Sequence, residues 1–343
     1  MNICHVLTIL TIGGIPGTVG AATPAEHIAT YQNTSKEPLT PQQAAQQLLL
    51  FNIPPQHYQQ ALHRHAAQPH IVRLLLAAGV DADTPDAYGT TALLLAASEG
   101  NTESVKLLLA AGADINHRDD CDGRTALTRA LQAGHADCAA LLANADGLDF
   151  RPWTPLTLGV AQQDLEDLRR FIGTGNDVNE ACSEGFTPLQ LAATLGYTEA
   201  VSLLLDAGAD IEKADEFGYT PLGYALHTGK TACVKHLLNR GANVHGTTGL
   251  PPIHVAVIAN NPECLRILLA AGANPNQPNP ARITPLHIAA THGYRPCAEL
   301  LLQAGANPQL RDNANKTPAD EARHWEQRDI LKLLEQANTE NTK

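Results

Sequence analysis

Aromatic side chains are scarce in this sequence. Phe, Trp and Tyr make up 4% of its 343 residues, and there is one Met. The core must therefore consist of Leu, Ala, Ile and Val. A chain rich in Ala and Leu, with so few aromatics, favours closely packed helices over a β-sandwich. We therefore expect an all-α fold.

Positive charge is also in short supply. The chain has 23 Lys and Arg against 35 Asp and Glu, which gives a formal net charge of −12. Nucleic-acid-binding proteins usually carry a basic face, and anionic membrane surfaces attract one. The basic residues here are scattered singly or in pairs such as Arg169 and Arg170. We expect neither nucleic acid nor a membrane surface as a partner.

Beyond the N-terminus, the sequence has no apolar run of the roughly 20 residues that a membrane span needs. Residues 3–12 are mostly apolar, and a Gly- and Pro-containing stretch and the small residues Gly20, Ala21 and Ala22 follow. This order is typical of a secretory signal peptide, although no Lys or Arg precedes Lys36. We expect residues 1–22 to be removed and the mature chain to be periplasmic or secreted, without membrane insertion. The alternative is a cytoplasmic protein with a disordered start.

A repeat occupies most of the chain. Similar segments open on a Thr, or once on a Pro, at successive steps of 34, 29, 33, 33, 31, 33 and 33 residues. A period near 33 indicates a repeat architecture. The opening residues are Thr91, Thr125, Thr154, Thr187, Thr220, Pro251, Thr284 and Thr317.

Each repeat predicts two short helices. In the segment TPLQLAATLG, Thr187 can cap a helix, Pro188 suits its first position, and Gly196 can end it. A second helix is predicted over residues 199–207. Neither helix is long enough to be stable alone, so the pairs must stack on their neighbours.

The segment TPLHIAA at residues 284–290 resembles the signature of the ankyrin-repeat family. The resemblance covers residues 83–337. It implies an ankyrin-repeat solenoid of helix-turn-helix units with β-hairpin-like turns, about nine units including degenerate caps. We assign residues 39–82 to an N-terminal capping helix and a degenerate repeat, residues 23–38 to a linker, and residues 338–343 to a polar tail.

Two units depart from the pattern. The step from Thr125 to Thr154 is four residues short of 33, which predicts a trimmed hairpin and a local change in superhelix curvature. The last unit places Glu321 and Arg323 where most other units are apolar, and Asp320 adds a further charge beside them. A terminal repeat needs such a face because one of its sides meets water.

No catalytic motif stands out. The chain contains no G-x-x-x-x-G-K-[ST], G-x-S-x-G or H-E-x-x-H sequence, and repeats and caps occupy residues 39–337. We therefore expect a non-enzymatic protein without a cofactor.

Cysteines and histidines leave one alternative open. Four of the seven cysteines lie thirteen residues after an opening residue, but equivalent helices about 8–10 Å apart are too distant for disulfides. Four histidines near the front lack the spacing of a zinc site, and we predict no metal. The alternative function is a redox- or metal-responsive protein that uses both sets. They are Cys138, Cys233, Cys264 and Cys297, and His57, His63, His65 and His70.

The resemblance also implies where a partner binds. In ankyrin proteins the turns and first helices line a concave face that usually binds another protein, and His254 and His287 make turn-stabilising hydrogen bonds. The residues at the corresponding turn positions are Tyr88, Arg124, Phe150, Arg151, Trp153, Phe186, Phe217 and Tyr219.

Five of those turn residues are aromatics in three consecutive units. A row of exposed aromatics marks a protein contact surface, and Glu184, Asp215 and Glu216 beside it suggest a partner with basic character. We expect a monomer that binds a protein through this rigid concave surface. The alternative is that the rings pack on neighbouring turns and stiffen them.

Overall fold

The computed structural model describes residues 39–121, 123–246 and 249–340. The predicted signal peptide and linker, residues 1–38, lie outside the described residues. Within the described ranges, no helix combines the length and apolar character that a membrane span requires.

The described residues form α-helices and turns, without β-strands, so the all-α expectation is confirmed. Helix α1, Pro41–Leu50, precedes nine helix pairs, which we call units 1 to 9. Their first helices are α2 Tyr58–Arg64, α4 Ala92–Ser98, α6 Ala126–Gln132, α8 Pro155–Ala161, α10 Pro188–Leu195, α12 Pro221–His227, α14 Pro252–Ile258, α16 Pro285–His292 and α18 Pro318–His324. Their second helices are α3 Pro69–Ala77, α5 Thr102–Ala110, α7 Ala136–Ala143, α9 Leu165–Gly173, α11 Thr198–Asp206, α13 Thr231–Asn239, α15 Pro262–Ala270, α17 Arg295–Gln303 and α19 Arg328–Glu340.

The units stack into a solenoid because each helix buries its apolar side on the equivalent helix of the next unit. In units 5 and 6, for example, α10 packs against α12 and α11 against α13. One continuous core of Leu, Ala, Val, Ile and Cys side chains results. No helix pair is long enough to fold alone, so stability comes from these interfaces.

Local signals define the ends of the helices as the sequence predicts. The backbone N–H of Gln190 donates to Thr187 Oγ1 at 3.2 Å, and Pro188 occupies the first turn of α10. Gly196 ends this helix with φ +77°, a left-handed conformation that glycine adopts at little cost.

A buried polar side chain joins neighbouring units near the start of the first helix. His287 Nε2 lies 3.0 Å from the carbonyl oxygen of Lys316 in the next unit, and its Nδ1 lies 2.8 Å from Thr284 Oγ1. His254 likewise reaches the carbonyl of Gln277 at 2.8 Å, so the expected turn-stabilising role of both histidines is confirmed.

The turns that precede the first helices project from the stack, and we call each one the finger of its unit. At the base of the fingers, a side chain of one unit accepts a backbone N–H from the next. Asn179 Oδ1 accepts from Asp210 at 2.8 Å, and Asn276 Oδ1 accepts from Asn307 at 2.7 Å. These inter-unit hydrogen bonds hold successive fingers in fixed register.

The two ends of the solenoid are covered differently. At the front, α1 packs against α3 and buries Ala44 and Leu48. At the back, α19 buries Ile330 and Leu334 and continues as a helix through residues 338–340, the start of the segment assigned to a polar tail. Arg323 on α18 is exposed, as the last unit's composition predicts.

The inter-unit role of His287 is testable by comparison with unit 5, where glutamine holds the same position. Gln190 Nε2 donates to the carbonyls of Lys213 and Tyr219, and its Oε1 accepts from Thr187 N–H. We expect His287→Gln to change the free energy of unfolding little. His287→Leu should lower it by about 1–3 kcal/mol, because the Lys316 carbonyl and Thr284 N–H lose their partner. Urea titration followed by circular dichroism measures both variants, and equal losses would contradict this role.

Candidate functional site

Several fingers are tight turns organised by a side chain at the base. In unit 6, Asp215 Oδ1 accepts the backbone N–H groups of Phe217 at 3.0 Å and Tyr219 at 2.7 Å. In unit 2, Asp86 Oδ1 does the same for Tyr88 and Thr90. The aspartate carboxylate thus satisfies two backbone N–H groups of its own turn. The residue two positions after the aspartate is thereby held at the tip of the finger.

Four of the eight predicted contact residues are exposed. Tyr88 is 64% exposed, Phe150 49% and Phe217 68%. Arg151 is also exposed, and its guanidinium contacts Asp149 at 2.7 Å. This ion pair holds the pKa of the Asp149 carboxyl at about 2 through hydrogen bonds from Arg151. These four side chains belong to the fingers of units 2, 4 and 6.

The other four predicted contact residues are less exposed. Arg124, Trp153 and Tyr219 are half-buried. Phe186 is 2% exposed, so the expectation that it faces solvent is wrong.

Phe186 is buried because of a tyrosine in the next unit. Tyr224 on α12 places its ring centroid 5.6 Å from that of Phe186 and 5.6 Å from that of Tyr219. Its hydroxyl donates to Asp215 Oδ2 at 2.6 Å, and burial together with this carboxylate raises the pKa of Tyr224 far above its usual range. For Phe186 and Tyr219, the structure therefore favours the alternative in which the rings stiffen the fingers.

The acidic rim is likewise largely occupied. The Glu184 side chain is only 7% exposed, and it accepts from Arg118 at 2.9 Å and from Thr128 Oγ1 at 2.7 Å. Asp215 serves its own finger and Tyr224, whereas Glu216 is exposed. Glu184 and Asp215 thus stabilise the fold, which removes most of the basis for expecting a basic partner.

The short unit 4 changes how its neighbours meet. Helix α8 packs against α7 and α10, while α6 of unit 3 contacts α10 of unit 5 directly. The Arg118 and Thr128 contacts to Glu184 span 66 and 56 residues, so they also join unit 3 to unit 5. The four missing residues therefore bring together units that one intervening repeat would otherwise separate.

Unit 6 takes part in the same closure. Lys230 Nζ donates to the carbonyl of Gly134 at 2.8 Å, across 96 residues, and Thr228 Oγ1 donates to the carbonyl of Thr194 at 3.0 Å. A Cβ added at Gly134 would lie 2.6 Å from Thr228 Cβ. The turn after α6 of unit 3 thus contacts the turn after α12 of unit 6, which also contacts the end of α10 in unit 5.

The stacked helix pairs and their fingers agree with the result of a family comparison. A family model of ankyrin repeats matches residues 41–119, 62–152, 156–248, 210–279 and 253–343. The chain belongs to the ankyrin-repeat family. Ankyrin repeats form protein-interaction modules.

Curated relatives share only part of this chain. An E3 ubiquitin-protein ligase of Arabidopsis thaliana is 35% identical over 34% of this chain and 24% of its own length. An ankyrin repeat-containing protein of Treponema pallidum is 36% identical over 31% of this chain and 37% of its own length. An ankyrin repeat domain-containing protein of Danio rerio is 53% identical over 13% of this chain and 16% of its own length. The chain thus spans well under half the length of these relatives.

Five of the six cysteines among the described residues are buried. The four cysteines at the shared repeat position are fully buried, and Cys182 is 4% exposed. Burial raises the pKa of Cys233 to about 12 and those of Cys264 and Cys297 to about 11. Since the thiolate is the reactive form, these groups are poor nucleophiles at neutral pH.

The histidines near the front are grouped in α2, α3 and the turns beside them. Among the described residues, no group of three His, Cys, Asp or Glu side chains has the arrangement of a metal site.

Sequence reasoning did not identify Tyr224 and Lys230, although each is atypical for its repeat position. Leu191 and Ile288 occupy the position equivalent to Tyr224, and Tyr197 and Tyr294 occupy the position equivalent to Lys230.

The closure across unit 4 predicts unequal effects of two glycine substitutions. Gly134 and Gly112 both have left-handed backbones, with φ +72° and +88°, but a Cβ at Gly112 meets nothing within 4 Å. Gly112→Ala should cost about 1–2 kcal/mol of unfolding free energy for the backbone alone. Gly134→Ala should cost about 1–3 kcal/mol more, because Thr228 must move. Urea titration compares the two, and indistinguishable losses would show that units 3 and 6 do not pack together.

The burial of the cysteines predicts the thiol reactivity of the native protein. In a Cys4→Ser variant, which removes the cysteine outside the described residues, one thiol should react quickly with Ellman's reagent at pH 8. This is exposed Cys121, and the five buried thiols should react only after denaturation. Rapid reaction of a second thiol in the folded protein would restore the redox alternative.

Proposed function

We propose that this ankyrin solenoid is a non-enzymatic module that binds a protein partner on its concave side. The finger tips of units 2, 4 and 6 make the principal contacts. The exposure of Tyr88, Phe150 and Phe217 at the ends of rigid turns supports this site. Large aromatic side chains contribute much of the binding energy at protein interfaces, and a preformed surface loses little entropy on binding.

Several contacts fix the geometry of the proposed site. The backbone N–H of Phe217 donates to Asp215, which also accepts from the Tyr224 hydroxyl. The ring of Tyr224 packs on buried Phe186. The proposal therefore assigns Phe217 to the contact surface and Phe186 to its support. Trp153 and Tyr219, both half-buried, can contribute an edge of their rings.

The closure between units 3, 5 and 6 lies away from the proposed site. Lys230, Thr228 and Gly134 follow their first helices, whereas the fingers precede theirs. Arg151 and Glu216 supply charges of both signs beside the aromatic tips.

A cross-linked pull-down with lysate of the source organism tests the proposal. The test variant carries Tyr88→Ala, Phe150→Ala and Phe217→Ala. The control variant carries Leu50→Ala, Ile258→Ala and Trp325→Ala, which are also exposed large apolar side chains but lie outside the fingers. We expect the control and the wild type to capture the same partner and the finger variant to lose it at least tenfold.

Equal capture by both variants would contradict the finger site, provided their circular dichroism spectra match. Phe186→Ala belongs in neither variant. Removing this buried ring should cost about 3–5 kcal/mol, so a loss of binding would reflect unfolding.

We further propose that the protein is exported to the periplasm or the medium, on the basis of the N-terminal sequence alone. Intact mass spectrometry of the protein recovered from each cell fraction tests this. Export predicts an extracytoplasmic chain shortened by about 22 residues. A full-length chain found only in the cytoplasm would contradict it.

A further inference from the structure

The charge at the front of the solenoid is opposite to that of the rest. Residues 39–80, which we call the N-terminal cap, contain four His and two Arg but no Asp or Glu. Of the 35 carboxylates in the chain, 33 follow Val80. Protonation of the four histidines would therefore add positive charge to a segment that has no carboxylate of its own.

Several polar atoms of the cap are buried without a hydrogen-bond partner. They are Tyr58 Oη, His63 Nε2 and His65 Nδ1. A neutral imidazole leaves one ring nitrogen without a proton, and such a nitrogen is tolerated in an apolar setting at modest cost. An imidazolium carries protons on both nitrogens, and burying it without partners is far more costly.

His65 and His70 are both half-buried in the cap. The ring of His70 is 5.7 Å from that of Phe51, which follows α1. Burial, and then Arg64, lower the pKa of His65, while the side chain of Gln68 raises it in part. Burial, and then His65, lower the pKa of His70.

The elements packed against the two histidines offer little negative charge. Helices α1 and α4 contain no ionisable residue, and α2 and α3 add His63, Arg64 and Arg73. Glu99 after α4 is exposed, and α5 carries Lys106 and Glu103. Glu103 Oε1 already contacts Arg73 at 3.4 Å.

The direction of the pH effect follows from proton linkage. His65 and His70 bind protons more weakly in the folded cap than in the unfolded chain, whose histidines titrate near the ordinary value of 6.5. The unfolded cap therefore holds more protons at acidic pH. Its stability is fully present above about pH 6.5 and declines as the pH falls below that value.

We propose that the N-terminal cap is an acid-labile element that opens under mildly acidic conditions while the later units stay folded. Among the described residues the cap packs on one neighbouring unit, because α2 contacts α4 and α3 contacts α5. Opening removes these contacts from unit 2, whose first helix carries the apolar residues Leu93, Ala96 and Ala97. The cap thus acts as an acid-controlled cover over an apolar surface.

Burial also lowers the pKa of His287 in unit 8, whose two ring nitrogens both have partners. The other competing acid-labile group is His254 in unit 7. It is fully buried, its Nδ1 also lacks a partner, and burial lowers its pKa. Its Nε2, however, meets the carbonyl of Gln277, and units lie on both sides of it. We therefore expect the cap to open first.

Hydrogen–deuterium exchange of the full chain at pH 7.5 and pH 5.5 tests the proposal, with exchange times corrected for the intrinsic pH dependence. Unit 5 is the internal reference because residues 187–208 contain no histidine. We expect the protection of α2 and α3 to fall severalfold relative to unit 5, and by at most about tenfold for each histidine, because pH 5.5 lies one unit below the ordinary histidine pKa of 6.5. The protection of α14 and α15 should follow that of unit 5.

Two histidine variants separate the buried groups from general acid effects. His65→Gln with His70→Gln should lose most of the pH response, while His57→Gln with His245→Gln, both exposed, should retain it. The wild-type profile remains decisive if the first variant folds poorly. Equal protection changes in the cap and unit 5, earlier opening of unit 7, or an unchanged response in the first variant would overturn the proposal.

Discussion

The contact between units 3 and 5 joins two units that lie on either side of unit 4, whose finger carries Phe150 of the candidate site. Glu184 accepts hydrogen bonds from Arg118 and Thr128, and its side chain is almost fully buried. An isolated buried carboxylate is costly, so these donors must remain in place for the finger of unit 5 to keep its form. This contact exists because unit 4 is four residues short, which lets α6 reach α10.

The aromatic residues of the fingers divide into two groups. Between units 5 and 6, rings pack together, and Phe186 and Tyr219 lie against Tyr224. At the tips of the fingers, Tyr88, Phe150 and Phe217 remain exposed. The packed group supports the fingers, and the exposed group forms the surface that we propose for a partner.

Most of the fold could be predicted from the sequence, because each unit carries its own local signals. Thr187 and Pro188 define the start of a helix and Gly196 its end, and the period of the opening residues gives the stacking. The exposure of Phe186 could not be predicted this way. It depends on Tyr224, which is atypical for its repeat position but lies in another unit, so its contact with Phe186 requires the three-dimensional structure. The short step to Thr154 indicated a change in curvature, but contacts as distant as Lys230 with Gly134 require the three-dimensional structure.

A double-mutant cycle between Thr128 and Glu184 tests the central claim most directly. Thr128→Val, Glu184→Ala and the double variant would be unfolded in urea, and their free energies compared with that of the wild type. In a regular stack, residues separated by a whole unit do not touch, and their effects add within about 0.3–0.5 kcal/mol. The direct contact at 2.7 Å predicts a coupling free energy of at least about 0.5–1 kcal/mol. Additive losses would contradict the closure of units 3 and 5 across the short unit.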